Sequence, residues 1–177
     1  MREIVLVLAG VLGLIAGWTD WRSRRIPNWL TVTGAALGIG GNALALGWIG
    51  AIGALEGLGL GLLILFPLVL VRGIGAGDWK LVGAIGAFLG PRNLLFVLAG
   101  AVLIAGVMAI VLVIYKRRLG ETARNVGKLL FAFATGHPGE PSVSLDNPKA
   151  AKVPFGVAAA ISVILFVSTR LIWHASF

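Results

Sequence analysis

Apolar residues gather along this chain into long runs separated by short polar links. The runs cover 4–19, 29–49, 51–71, 94–115 and 154–173. About 20 apolar residues in a helix cross a hydrocarbon core of ~30 Å. A further apolar stretch, 79–90, is divided from the next by "GPRN" at 90–93. Its roughly 12 residues reach only ~18 Å at ~1.5 Å per residue, so it is expected to be tilted, extended or partly re-entrant. Pro27 and Asn28 precede the second run and suit a helix start. The first run has the look of a signal peptide. Glu3 weakens its basic end, however, and no small-residue cleavage site precedes Asp20, so it is expected to be retained. The pattern predicts an all-α, polytopic membrane helix bundle of about six transmembrane helices, a single domain over 1–177.

The polar links set the expected orientation. Segments 20–28, 72–80 and 116–152 hold twelve basic residues, and the other side holds three, Arg2, Arg92 and Arg170. The positive-inside bias puts the first group in the cytoplasm and both termini outside, in a multi-pass membrane protein. Within the polar loop 116–152, Val126, Leu129, Leu130 and Phe133 recur at helical spacing, flanked by Arg124 and Lys128. That spacing predicts a helix lying on the membrane surface. "GHPGEPSVSLDNP" at 136–148 is a turn-rich connector.

Composition agrees. The chain is 58% hydrophobic and 12% charged, with mean hydropathy +0.97, whereas soluble domains average about 25% charged. The net charge of +8 would point to nucleic acid in a soluble protein. Here the charges sit in loops, so topology and anionic lipid account for them and no nucleic-acid partner is expected. The absence of cysteine excludes disulfides, thiol nucleophiles, iron–sulfur clusters and Cys-based zinc sites. His137 and His174 are the only histidines, so no His-rich metal site is expected. Among 26 glycines, the pairs Gly13/Gly17, Gly34/Gly38, Gly53/Gly57, Gly57/Gly61 and Gly86/Gly90 have GxxxG spacing, which lets helices approach closely.

Seven acidic residues remain. Glu3 is terminal, and Glu121, Glu140 and Asp146 lie in the polar loop. Asp20 ends the first run and Asp78 follows the third. Two spans separate them, so they share a side whichever way the protein points. Glu56 lies near the opposite end of the third run, roughly 22 residues and ~33 Å from Asp78, so a direct Glu56–Asp78 pair is not expected. Two close carboxylates share a proton and titrate in coupled steps. One then serves as base toward a water and the other as acid toward a carbonyl or leaving amine. Each aspartate also has a simpler reading. Asp20 lies near Arg22 and Arg24 and Asp78 near Lys80, so either could be a cap or an ion pair.

The stretches around these aspartates carry a resemblance. "DWRSRRIPN" at 20–28 resembles the D-x-R-x-x-x-IPN signature of the type IV prepilin peptidases, and "GAGDWK" at 75–80 resembles their G-x-G-D-x-K motif. "VPFG" at 153–156 is similar to the Pro-aromatic-Gly segment that opens the family's last helix. All three come in family order and together span nearly the whole chain.

The resemblance implies a GxGD-type membrane aspartyl peptidase that needs no metal or cofactor. Asp20 and Asp78 would be its catalytic pair, at the cytoplasmic face. Gly75 and Gly77 would let the backbone bend closely around the site. Lys80 would support it electrostatically, or serve packing or lipid contact. Arg22 would hold Asp20 or a nearby phosphate, or serve topology alone. Pro27, Asn28, Pro154 and Gly156 would be structural. The implied substrates are prepilins and pseudopilins, whose short basic leader is removed from an apolar helix. Bifunctional members add a cytoplasmic region, often with four cysteines, that methylates the product. With no cysteine and about nine residues between the first two runs, no methyltransferase activity is expected. The short form resembles the peptidases of tight-adherence (Tad/Flp) pilus systems.

Two other functions stay open on the residues: a small ion-coupled transporter, for which Glu56 is the telling residue, and a non-catalytic pilus or secretion assembly factor. Trp18, Trp21, Trp29 and Trp79 form an interfacial belt or help line a substrate groove.

Overall fold

The computed structural model describes residues 2–70, 73–115 and 153–175, with positions 120, 124, 126, 127 and 131. Of the surface helix expected from Val126, Leu129, Leu130 and Phe133, Val126 is described, in helical backbone, and the other three lie outside the described residues. Four long apolar helices make up the rest: α1 (Arg2–Ser23), α2 (Asn28–Leu70), α3 (Ala76–Tyr115) and α4 (Phe155–Ala175). Each is long and apolar enough to cross a membrane.

Four helices therefore stand where six spans are expected. The second and third expected spans are joined in α2, and the fourth and fifth in α3. The joints are Gly47 (φ 64°, ψ −146°) and Gly90 (φ 74°, ψ 172°), the two places where these helices leave helical geometry. This region of backbone space is open essentially to glycine alone. One such residue turns the chain with helix directly on either side. Pro91 follows Gly90 as the first residue of the next arm, where its missing N–H costs nothing to that arm.

Neighbouring residues show the direction of each arm. Gly61 lies against Val82 and Gly57 against Gly86, so arm 48–70 runs antiparallel to arm 76–89. Lys80 meets Asn28 and Gly38 meets Ala87, so arm 28–46 runs parallel to it. Arm 91–115 opposes α4, with Val97 meeting Ser162 and Asn93 meeting Arg170. Helix α1 opposes α4 through Gly10 near Val167, Gly13 near Val163 and Gly17 near Ala160.

The short stretch expected to be tilted, extended or partly re-entrant is the centre of the bundle. Every residue from Leu81 to Leu89 is buried. Helix α1, by contrast, buries one stripe, Val5, Ala9, Leu12, Gly13, Ala16, Gly17 and Asp20, as an edge helix should. Large apolar side chains point outward, among them Leu14, Leu44, Ile49, Leu63 and Leu103. A surface this apolar fits a lipid surround.

Glycine makes the central packing possible. A Cβ at Gly57 would strike the Gly86 carbonyl, and one at Gly86 the Gly57 carbonyl. At Gly38 a Cβ would lie 2.8 Å from the Ala87 carbonyl carbon. Gly53 differs: no atom lies within 4 Å of its added Cβ, so the GxxxG expectation does not extend to it.

Polar side chains mend the backbone near the turns. Pro91 cannot donate to the Ala87 carbonyl four residues back. Asn42 Nδ2 donates to that carbonyl at 3.0 Å, and to Phe88 and Gly38 at 3.0 Å each. Ser162 Oγ donates to the Val97 carbonyl at 2.7 Å.

The glycine contact yields a test. Gly57→Ala should destabilise the protein by about 1–3 kcal/mol, because backbone on both sides must shift. Gly53→Ala should leave stability unchanged or slightly raised. Thermal unfolding in detergent reads both, and equal melting of the two variants would refute the packing account.

Candidate active site

Asp20 lies in the last turn and a half of α1 and is 6% exposed. Burial of a carboxylate calls for donors. The start of α4 supplies one: the Gly156 N–H donates to Asp20 Oδ2 at 2.8 Å. Free amides of a helix N-terminus favour an anion. Pro154 opens that helix, its carbonyl accepting from Val157 and Ala158 at 3.2 and 3.3 Å. The fit is close. A Cβ on Gly156 would lie 2.8 Å from the Asp20 Cβ and 3.0 Å from Oδ2.

Asp78 lies in the first turn of α3. The Gly75 backbone hydrogen-bonds its carboxyl group, and a Cβ at Gly75 would come within 3.2 Å of Oδ2. Gly77 faces the link between α1 and α2, where a Cβ would sit 3.2 Å from the Ile26 Cβ. At both glycines an added Cβ would crowd these neighbours.

The two aspartates line one cavity of about 280 Å³, with Arg24, Arg25, Ile26, Gly75 and Gly77. They are near enough to interact electrostatically. Arg24 holds a left-handed backbone (φ 53°), unusual for a side chain of this size. Its N–H donates to the Asp20 carbonyl at 2.9 Å and closes α1. This bend carries the chain from Asp20 past the cavity and into α2.

Other expected site residues lie elsewhere. Arg22 is exposed and does not line the cavity. Lys80 does not line it either. Its Nζ donates to Asn28 Oδ1 at 3.0 Å and ties the start of α3 to the start of α2. Trp79 anchors the same turn, with Nε1 donating to the Leu62 carbonyl at 2.7 Å and its ring tilted against Phe66 at 6.0 Å. Trp18, Trp21 and Trp29 are exposed, and none of the four indoles lines the cavity. Glu56 is exposed on α2.

Arg24, Arg25, Ile26 and Gly156 are the cavity and anchor residues not singled out as such from the sequence. The first three lie inside the quoted 20–28 stretch. Gly156 lies in the quoted 153–156 stretch, but its contact with Asp20 spans 136 residues and leaves no local signal. Among the described residues no group of three or more His, Asp or Glu side chains forms a metal site.

The arrangement of two carboxyl groups, backbone donors and a small cavity meets a family comparison. The sequence model of the type IV leader peptidase family matches residues 6–110, which include both aspartates. The chain belongs to that family. No match is found among curated proteins or among solved structures. Helix α4, which anchors Asp20, lies beyond the matched residues.

Gly156→Ala should displace Asp20 and break the 2.8 Å bond. Any activity that depends on Asp20 should fall at least about tenfold, as for a misplaced reacting group. Gly59→Ala, with no atom within 4 Å of its added Cβ, should not change it. Full activity in the Gly156 variant would show that this contact does not orient Asp20.

Proposed function

We propose that this protein is an aspartyl endopeptidase of the GxGD type that removes the leader of prepilins or pseudopilins, with Asp20 and Asp78 as its acid–base pair. The observation that carries the reading is that both aspartates line one cavity at one end of the bundle. Membership of a leader peptidase family supplies the reaction class.

The chemistry follows from two carboxyl groups of which one holds a proton. The ionised member takes a proton from a water, whose oxygen bonds to the scissile carbonyl carbon. The protonated member gives its proton to the carbonyl oxygen. A tetrahedral diol forms. It collapses as a hydroxyl proton returns to a carboxylate, the C–N bond breaks and the other carboxyl protonates the leaving amine. The products are a free carboxylate on the leader and a free amine on the mature chain.

The cavity lies at helix ends, so a substrate helix lying in the bilayer would present its leader junction there. The basic loops argue for the cytoplasmic side of a bacterial inner membrane. They also argue against those loops as the docking patch for a basic leader. The lack of cysteine and the short link between α1 and α2 support a peptidase-only enzyme of the Tad/Flp kind.

Co-expression with a Flp-type prepilin tests the reading by its size shift. The parent should cleave with a chelator present. Asp20→Asn and Asp78→Asn, at equal membrane abundance, should each lose on the order of 10²–10⁴-fold in rate. Cleavage by both variants would make the aspartates structural. A folded parent inactive on several prepilins would favour the assembly-factor reading.

A further inference from the structure

A second, larger cavity of about 380 Å³ lies at the end of the bundle opposite the aspartates. All four helices contribute to it: the first turns of α1, the stretches of α2 and α3 near their glycine turns, and the last turns of α4. Its polar lining is Arg2, Glu3, Asn42, Asn93 and Arg170, and apolar side chains such as Leu46 and Phe166 complete the wall.

The donors and acceptors are sorted. Arg170 is held in place, its guanidinium 5.3 Å from the Phe166 ring centroid and 3.4 Å from Asn93 Oδ1. A guanidinium carries five N–H donors in a fork that fits phosphate oxygens. Arg2 brings a second guanidinium from α1 to the same cavity. Asn42 and Asn93 spend their amide N–H groups on backbone carbonyls, at 3.0 Å for each bond. Asn42 therefore offers the cavity an acceptor oxygen, as does the Glu3 carboxylate. A ligand matching this lining has a phosphate for the arginines, a hydrogen-bond donor for Glu3 and Asn42, and an apolar part for the wall.

We propose that this cavity binds the headgroup of a glycerophospholipid whose phosphate is followed by a hydrogen-bond donor, an ammonium or a hydroxyl. A choline headgroup has the phosphate but no such donor. An inorganic phosphate has no apolar part. The site is separate from the aspartate cavity and does not rest on the peptidase reading.

Native mass spectrometry of the detergent-purified protein tests it, with phosphatidylethanolamine, phosphatidylglycerol and phosphatidylcholine of the same acyl chains added in turn. Either of the first two should be retained at least about fivefold more than the choline lipid. Retention of these lipids should fall in the Arg2→Ala/Arg170→Ala double variant, whereas Glu3→Gln should weaken the preference over the choline lipid. Millimolar inorganic phosphate should not displace the lipid. Equal retention of all three lipids overturns the proposal, as does unchanged retention in the double variant. Full displacement by phosphate reduces the cavity to a simple anion site and also overturns it. The comparison among lipids uses the parent protein, so it decides the matter even if the double variant fails to fold.

Discussion

The backbone contact between Gly57 of α2 and Gly86 of α3 sets the geometry of the bundle. Neither position has room for a single carbon more. Because the chains touch there without side chains between them, the arm 76–89 can sink into the centre and bury Leu81–Leu89 completely. Without water to solvate the backbone, each carbonyl freed by a turn or proline needs a donor from the protein. Asn42 supplies one beside Pro91. Close helix packing and internal hydrogen bonding are thus parts of one solution, since hydrophobic burial alone offers little drive between helices in lipid.

The position of Asp78 follows from that packing. It stands at the outer end of the central arm, where α3 begins. Trp79 and Lys80, the next two residues, bind the two arms of α2 at Leu62 and Asn28. Asp20 is positioned from another direction, by an amide in the first turn of α4. A cavity built from helix ends has backbone N–H groups to spare, and both aspartates use them. The strained Arg24 bend lets the chain leave Asp20 and turn into α2 without covering the cavity. The anchor of Asp20 comes from the last helix, which lies beyond the matched residues.

The chain by itself determined the all-helical, apolar character of the protein, the link and start that carry the two aspartates, and the glycines that permit close approach. Those properties are local: run length, helix-end residues and the absence of a side chain act over a few positions. It also put Asp20 and Asp78 at one end by parity, since an even number of passes returns a chain to the side it left. Parity survives the change from six expected spans to four helices, because α2 turns back at Gly47.

Only the tertiary structure decided how the helices join, what surrounds the site and which polar residues serve it. A polar gap and a single left-handed glycine both reverse a helix, and hydropathy registers only the first clearly. Arg22 and Arg24 are two residues apart and both exposed, yet only Arg24 lines the cavity, because the end of α1 turns the backbone between them. Lys80 looks like a partner for Asp78, two residues before it, but binds Asn28, 52 residues away in sequence. The Gly156–Asp20 bond spans 136 residues. Side-chain direction at a helix end depends on how far the helix runs and what packs beside it, and those are properties of the assembled bundle.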